Sequence, residues 1–192
     1  MTRPARILGF CIVLLGAGSL CAQEQTKPAF LRYTPESHAF YCDIPSAGWQ
    51  AFEEEDSGGL AVHLLGPDNP AGTYRTGIDI RFVDKAQPGF VPYKKALSDL
   101  RRSESLAQRD ATAVRALRVS GTMARTIEVT EKRLLPQDQL PSSEEGIHHY
   151  VVIIPSGESY YIIRLSSSLD VYLDYKDFFL KFLSSFKLLG YK

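Results

Sequence analysis

Cysteine is scarce in this 192-residue chain, and neither sign of charge is in excess. Twenty-two basic residues balance 22 acidic ones, so the formal net charge is zero. That balance offers no electrostatic attraction for nucleic acid, and we expect no nucleic-acid partner. Cys11 and Cys21 lie near the N-terminus, and Cys42 is the only other cysteine. One cysteine cannot form an intramolecular disulfide, so packing must hold the fold together.

Long hydrophobic runs are also lacking, apart from one stretch near the N-terminus. The charge-free run Ile7–Leu20 follows Arg3 and Arg6, and at about 14 residues it is short for a membrane span. A basic start, a short apolar run and small residues are the layout of a secretory signal peptide. We therefore predict a signal peptide over residues 1–22 and an exported protein, periplasmic or secreted.

The processing site has a second interpretation. In "GSLC", Cys21 stands where a bacterial lipoprotein carries its lipidated first residue, although Leu20 replaces the small residue of that signal. Cleavage after Ala22 would release a soluble protein, whereas lipidation of Cys21 would tether the chain to a membrane. We expect no transmembrane segment in the mature chain.

The rest of the chain divides into a linker and one domain of mainly strands. Residues 23–34 are polar, contain Pro28 and have no clear period, which predicts a linker. Residues 35–192 show strand patterns from "HAFYCDIP" onward, with Cys42 as a small buried thiol. The clearest strand is "GIDIRFVD", and "IHHYVVII" and "SYYIIRLS" flank "PSGE" as a hairpin.

Two segments have helical spacing. Residues 91–108 place Tyr93, Ala96, Leu97 and Leu100 on one face. Near the C-terminus, seven large apolar residues fall within one arc of a helix: Tyr172, Tyr175, Phe178, Phe179, Phe182, Leu183 and Phe186. A membrane-surface helix usually carries Lys and Arg along its polar face. Here Asp177 accompanies Lys181, so we expect this amphipathic helix to pack on the protein's own sheet.

The order of these elements and a few motifs resemble a known family. "CDIPSAGW", with Ile44, Pro45 and Trp49, opens the domain, and "FLSSFKLL" closes the terminal helix. This pattern, over about residues 35–190, resembles the PsbP-like (Mog-type fold) family, which has bacterial exported and lipoprotein members of unknown role. The resemblance implies an α+β fold, an α/β/α sandwich with a central antiparallel sheet. It also implies a binding or assembly module without catalysis.

Histidines offer the main candidates for a metal site. We consider His63, His148 and His149, with Glu128 as a further ligand. Adjacent side chains of a strand point to opposite faces, so His148 and His149 cannot readily share one ion. A site would therefore combine one of them with a histidine or carboxylate from another strand, for instance His63 or Glu128.

A hydrolase with an unrecognised site is the other alternative. No G-x-S-x-G motif is present, and we interpret Ser166, Ser167 and Ser168 as caps of the following helix. No P-loop or dinucleotide-binding glycine pattern occurs either, so we predict no cofactor.

Exposed loops are the expected contacts for an unidentified envelope or periplasmic protein partner. The candidates are "PDNPAGTYRTG" and "LPQDQLPSSEEG". Tyr74 and Arg75 in the first loop are our best single candidates, because Tyr and Arg are enriched at interface hot spots.

Overall fold

The computed structural model describes residues 29–56, 59–102, 108–136 and 141–189. The predicted signal peptide and Cys21 lie outside these residues. Within them there are two helices, α1 (Tyr93–Leu100) and α2 (Tyr172–Ser185). The strands are β1 (Phe30–Tyr33), β2 (Phe40–Pro45), β3 (Gln50–Asp56), β4 (Gly59–Asp68), β5 (Arg75–Val83), β6 (Asp110–Ala111), β7 (Arg115–Val119), β8 (Thr122–Leu135), β9 (Ser143–Ser156), β10 (Ser159–Ser168) and β11 (Lys187–Leu188).

The strands form two antiparallel sheets. The larger has the order β3-β4-β5-β10-β9-β8-β6, and β7 also pairs with β8, on the side of β8 away from β9. The smaller has the order β1-β2-β11. The predicted hairpin is β9 and β10, joined at a tight turn in which Gly157 adopts a φ of 64°. An L-residue rarely adopts that angle, which explains the glycine.

Helix α2 packs its aromatic face against one face of the large sheet. Phe179, Phe182 and Phe186 are completely buried there, and Phe40 and Tyr161 meet Phe186 from the two sheets. The predicted core role of this helix is therefore confirmed. Cys42 is buried in the same core, and burial raises the pKa of its thiol to about 12.

Helix α1 covers part of the opposite face. Leu97 and Leu100 pack on a second cluster that includes Val151, Ile153 and Tyr160. Helices on both faces of an antiparallel sheet make the α/β/α sandwich predicted from the sequence. The helical pattern over residues 91–108 overestimates α1, which ends at Leu100.

Two further predictions differ from the structure in detail. Residues 30–33, assigned to the linker, form β1: Phe30 stacks on Phe178, and the Tyr33 hydroxyl donates to Glu53. Strands β8 and β9 extend into the predicted loop 135–146. No helix among the described residues is long and apolar enough to cross a membrane.

Candidate binding groove

A groove lies between α1 and the sheet and has a volume of about 580 Å³. It exists because an eight-residue helix, about 12 Å long, cannot cover a seven-strand path that is roughly 30 Å wide. Its apolar lining comes from strands β4, β9 and β10 and from the α1 side: Ala61, Val151, Ile162, Val91, Ala96 and Leu100. Among the residues that the structure describes, apolar surface is thus left uncovered beside charged residues.

A polar row crosses the groove on three neighbouring strands. His63, Asp79 and Arg164 are direct cross-strand partners, so their side chains share one face. Arg164 Nη2 donates to Asp79 Oδ2 at 2.7 Å, and His63 Nδ1 lies 2.8 Å from Asp79 Oδ1. Burial alone would raise the pKa of the Asp79 carboxyl, but Arg164 and His63 outweigh it and lower that pKa. Asp79 is therefore a paired carboxylate.

The helix side of the groove is also charged. Asp99 on α1 accepts hydrogen bonds from Lys95 and Arg102. Arg109 donates to the carbonyl oxygens of Leu100, the last residue of α1, and of Arg102. Arg109 thereby fixes the helix end that borders the groove.

Beyond the row, Ser166, His149 and Glu131 form a buried chain of polar contacts, called the relay below. The sequence analysis did not predict it. Ser166 Oγ is 2.8 Å from His149 Nδ1, and His149 Nε2 is 3.3 Å from Glu131 Oε1. This order of groups is that of a nucleophilic relay. However, Ser166 and His149 are only 9% and 6% exposed, and the Tyr74 side chain contacts Ser166. Desolvation lowers the pKa of His149 to about 4, so its imidazole is neutral and a weak base.

The serines do not cap α2 as predicted. Ser166, Ser167 and Ser168 lie within β10, and the N-cap residue of α2 is Val171, which makes no side-chain cap. The relay depends on the register of three strands. The only signal in the sequence was the alternation that places His149 on one face of its strand.

The three candidate histidines lie in three separate local environments. His148 points to the α2 face, where its ring stacks on Tyr172 and its Nε2 lies 3.1 Å from Glu128 Oε2. His149 points to the α1 face, as the alternation predicts. The structure therefore places His63 and His148 on opposite sides of the sheet, and among the three histidines Glu128 contacts only His148.

His63 itself has carboxylates at both ring nitrogens. Asp79 lies at Nδ1, and Glu54 lies 3.7 Å from Nε2. The two nitrogens point in different directions, so the two carboxylates cannot meet at one ion bound by this ring. Within the described ranges, no group of three or more His, Cys, Asp or Glu side chains could hold a metal ion.

The two partner-contact candidates differ from each other. Arg75 is exposed and forms a two-point ion pair with Asp68. Tyr74 is half-buried, and burial raises the pKa of its phenol, while the nearby Arg133 and Arg164 oppose that rise. Tyr74 therefore lies near Arg164 and Ser166, whereas Arg75 belongs to the loop surface. Buried Asn69 holds this loop by accepting hydrogen bonds from two backbone amides, those of Thr73 and Tyr74.

Comparison with solved structures shows that the chain has the PsbP-like fold. It is similar to the solution structure of cyanobacterial PsbP from Synechocystis, with a TM-score of 0.50 and 13% identity over 86% of this chain and 95% of that one. It is also similar to the Ran-binding protein Mog1p of Saccharomyces cerevisiae, with a TM-score of 0.50 and 11% identity over 85% and 97% of the two chains. No family model and no curated protein matches the sequence.

Proposed function

We propose that this chain is an exported binding module without catalysis, which holds an envelope or periplasmic protein partner in the groove beside α1. The observation that carries the proposal is the open groove, in which apolar side chains lie on a rigid sheet next to charged ones. A concave, mostly apolar site with a few placed polar groups is the usual form of a binding pocket. Mog1p, of the same fold, is a Ran-binding protein, so this fold can serve protein recognition.

The polar groups at the groove support binding rather than chemistry. A general base needs a free proton-accepting atom within reach of a substrate. The Asp79 carboxylate is occupied by Arg164 and His63, and Ser166 is buried. These groups fix the shape and charge of the rim.

A matched pair of substitutions on α1 tests the groove. Ala96→Trp places a large side chain in the groove, whereas Ser98→Trp adds the same side chain to the exposed side of the same helix. We expect chemical crosslinking in the native cell to capture a partner with wild type and Ser98→Trp, and to lose it with Ala96→Trp. Both variants must first show the wild-type far-ultraviolet circular dichroism and a similar Tm. Capture that survives Ala96→Trp would contradict a site in the groove.

Export is tested by the intact mass of the protein recovered from its native cell. A chain beginning at Gln23 supports a soluble exported protein, and an acylated Cys21 supports a tethered lipoprotein that reaches the membrane only through its lipid. A mass that retains residues 1–22 would contradict cleavage of a signal peptide.

Hydrolysis is favoured by one observation, the order of Ser166, His149 and Glu131. Labelling by a fluorophosphonate probe that disappears in Ser166→Ala would support a hydrolase. The burial of Ser166 predicts no labelling.

Metal binding through the histidines is a separate alternative. Elemental analysis of the purified protein and of His63→Ala and His148→Ala variants tests it, and a sub-stoichiometric metal content in the wild type would exclude it.

A further inference from the structure

A second cavity, called the acidic cavity below, lies where the β4–β5 loop meets the start of β9 and the end of β10. It has a volume of about 460 Å³, and the loop contributes Asn69 and Ala71 to its lining. Glu145 and Asp170 are its charged lining residues, and among the described residues no basic side chain lines it. The acidic cavity thus differs from the groove, whose lining carries both signs of charge.

Neither carboxylate of the acidic cavity forms an ion pair within the described part of the chain. Glu145 Oε2 accepts a hydrogen bond from Asn69 Nδ2 at 3.3 Å, whereas Glu145 Oε1 and both oxygens of Asp170 have no partner among these residues. Arg133 is the cross-strand partner of Glu145, but its guanidinium bonds Glu131 instead. The cavity therefore presents carboxylate oxygens that are free to bind a cation.

A buried hydroxyl at the same cavity also lacks a partner. Ser168 lines the cavity, is 2% exposed, and its Oγ makes no hydrogen bond among the described residues. Ser168 and Glu145 face the same side of the sheet, because Ile147, two residues after Glu145, is the direct cross-strand partner of Ser168. An unpaired buried hydroxyl is costly, and a ligand that donates a hydrogen bond to it would remove that cost.

The lining favours a cationic side chain over a metal ion. Calcium takes about six to eight oxygen ligands, and the free side-chain oxygens come only from Glu145, Asp170 and Ser168. The Asn69 oxygen is already used by two backbone amides of its loop. Leu169 adds apolar surface and is 57% exposed. Carboxylates beside apolar surface suit a side chain with an aliphatic stem and a charged head, as in arginine and lysine.

The acidic cavity and the groove are close enough for one extended segment to reach both. Arg164 lines the groove and Ser168 lines the acidic cavity, and both side chains lie on the same face of β10. They are four residues apart on one strand, which corresponds to about 13 Å. A partner segment in the extended conformation spans that distance with about four residues of its own.

We propose that the acidic cavity accepts an arginine or lysine side chain of the protein partner, from the same extended segment that occupies the groove. This inference rests on the proposed function and adds a second contact to it. The cationic head bonds Glu145, Asp170 and the Ser168 hydroxyl, and the aliphatic stem packs on Leu169. Charged hydrogen bonds of this kind give specificity as well as affinity.

Selection from a random dodecapeptide display library tests the proposal. The bait is the purified mature chain, and every enriched peptide is synthesised and its Kd measured. We expect enriched peptides to carry Arg or Lys about four residues from Leu, Ile, Phe or Trp. Replacing that arginine by citrulline, which has the same shape without the charge, should weaken binding by about tenfold or more. Acetyl-lysine serves in the same way for lysine.

A matched pair of substitutions locates the cation. Glu145→Gln should weaken binding by about tenfold, whereas Glu144→Gln should change the Kd by less than about twofold. Glu144 is the neighbouring residue, but its side chain points to the other face of β9 and is paired with Lys132.

Ser168→Ala separates binding from a structural role of the hydroxyl. Because the Ser168 hydroxyl has no partner in the free protein, its removal should leave the Tm unchanged or raise it. The same variant should weaken peptide binding by about threefold or more. A lower Tm with an unchanged Kd would show a structural role and overturn the contact with Ser168.

The outcomes separate this inference from the function on which it rests. Peptides whose binding is lost in Ala96→Trp but is unchanged by citrulline or by Glu145→Gln would overturn the inference and leave a groove-binding module. Peptides that bind Ala96→Trp as well as wild type, or no enrichment at all, would overturn both. Calcium chloride binding that is lost in Glu145→Gln, without a preference for cationic peptides, would show a metal site and also overturn the inference.

Discussion

Lowering the pH from 6.5 towards 4 should destabilise this protein, because the folded state keeps the buried imidazole of His149 neutral. The imidazole is buried between Ser166 and Glu131, and desolvation lowers its pKa from 6.5 to about 4. The unfolded chain therefore takes up a proton near pH 6.5, whereas the folded chain does so only near pH 4. Stability is fully present above pH 6.5 and is lost as the pH falls towards 4.

The size of the effect follows from the shift. The folded and unfolded values differ by about 2.5 pH units, and each unit corresponds to about 1.4 kcal/mol, which gives a loss on the order of 3 kcal/mol by pH 4. The pKa of the neighbouring Glu131 is lowered below 4.5 by Arg133 and His149 despite burial. Its own contribution is thus lost at lower pH, and the interval from pH 6.5 to 4.5 reports mainly on histidine.

Urea denaturation at pH 7.5, 6.5, 5.5 and 4.5 measures this loss as a free energy of unfolding. His149→Gln should flatten the pH dependence, because glutamine does not titrate and can still hydrogen-bond Ser166 and Glu131. The pKa of His148 is also lowered by burial, so the variant should keep a smaller slope. His38→Asn, at an exposed position, is the control. Identical slopes for wild type and His149→Gln would refute the reasoning.

Two further predictions concern packing. Phe182→Ala should reduce the free energy of unfolding by about 3–5 kcal/mol because it empties a fully buried aromatic site, whereas Leu173→Ala, at a side chain that is 73% exposed, should change it by about 0.5 kcal/mol or less. Gly66→Ala would place its Cβ 2.8 Å from the Trp49 ring and should cost about 1–3 kcal/mol by overpacking. Gly77→Ala, whose Cβ would have its nearest atom at 3.4 Å, should reduce the free energy of unfolding by less. Urea denaturation measures all four variants. Equal losses of free energy of unfolding within either pair would contradict the packing described.

The parts of the fold that could be predicted are those with local periodicity. Strand alternation marked the β9–β10 hairpin, and the helical arc of aromatic residues marked α2 and its buried face. Strand β1 could not be predicted, because its four residues are held by distant contacts such as Phe30 with Phe178 and Tyr33 with Glu53.

The candidate site was less predictable than the fold. Alternation placed His148 and His149 on opposite faces, but the partners of each depend on the register of β8, β9 and β10. The groove depends on where α1 ends, and Arg109 fixes that end through carbonyl contacts that leave no periodic signal. Sites assembled from several strands thus remain hidden until the pairing of those strands is known.

Photo-crosslinking in the native cell tests the groove most directly. Benzoylphenylalanine is introduced in place of Arg81 at the groove or of Leu173 on the outer side of α2, two exposed positions on opposite faces of the sheet. A partner held in the groove predicts a protein adduct from position 81 that is lost when Ala96→Trp is added, and none from position 173. An adduct from position 173 alone, or one from position 81 that persists with Ala96→Trp, would contradict the groove as the binding site.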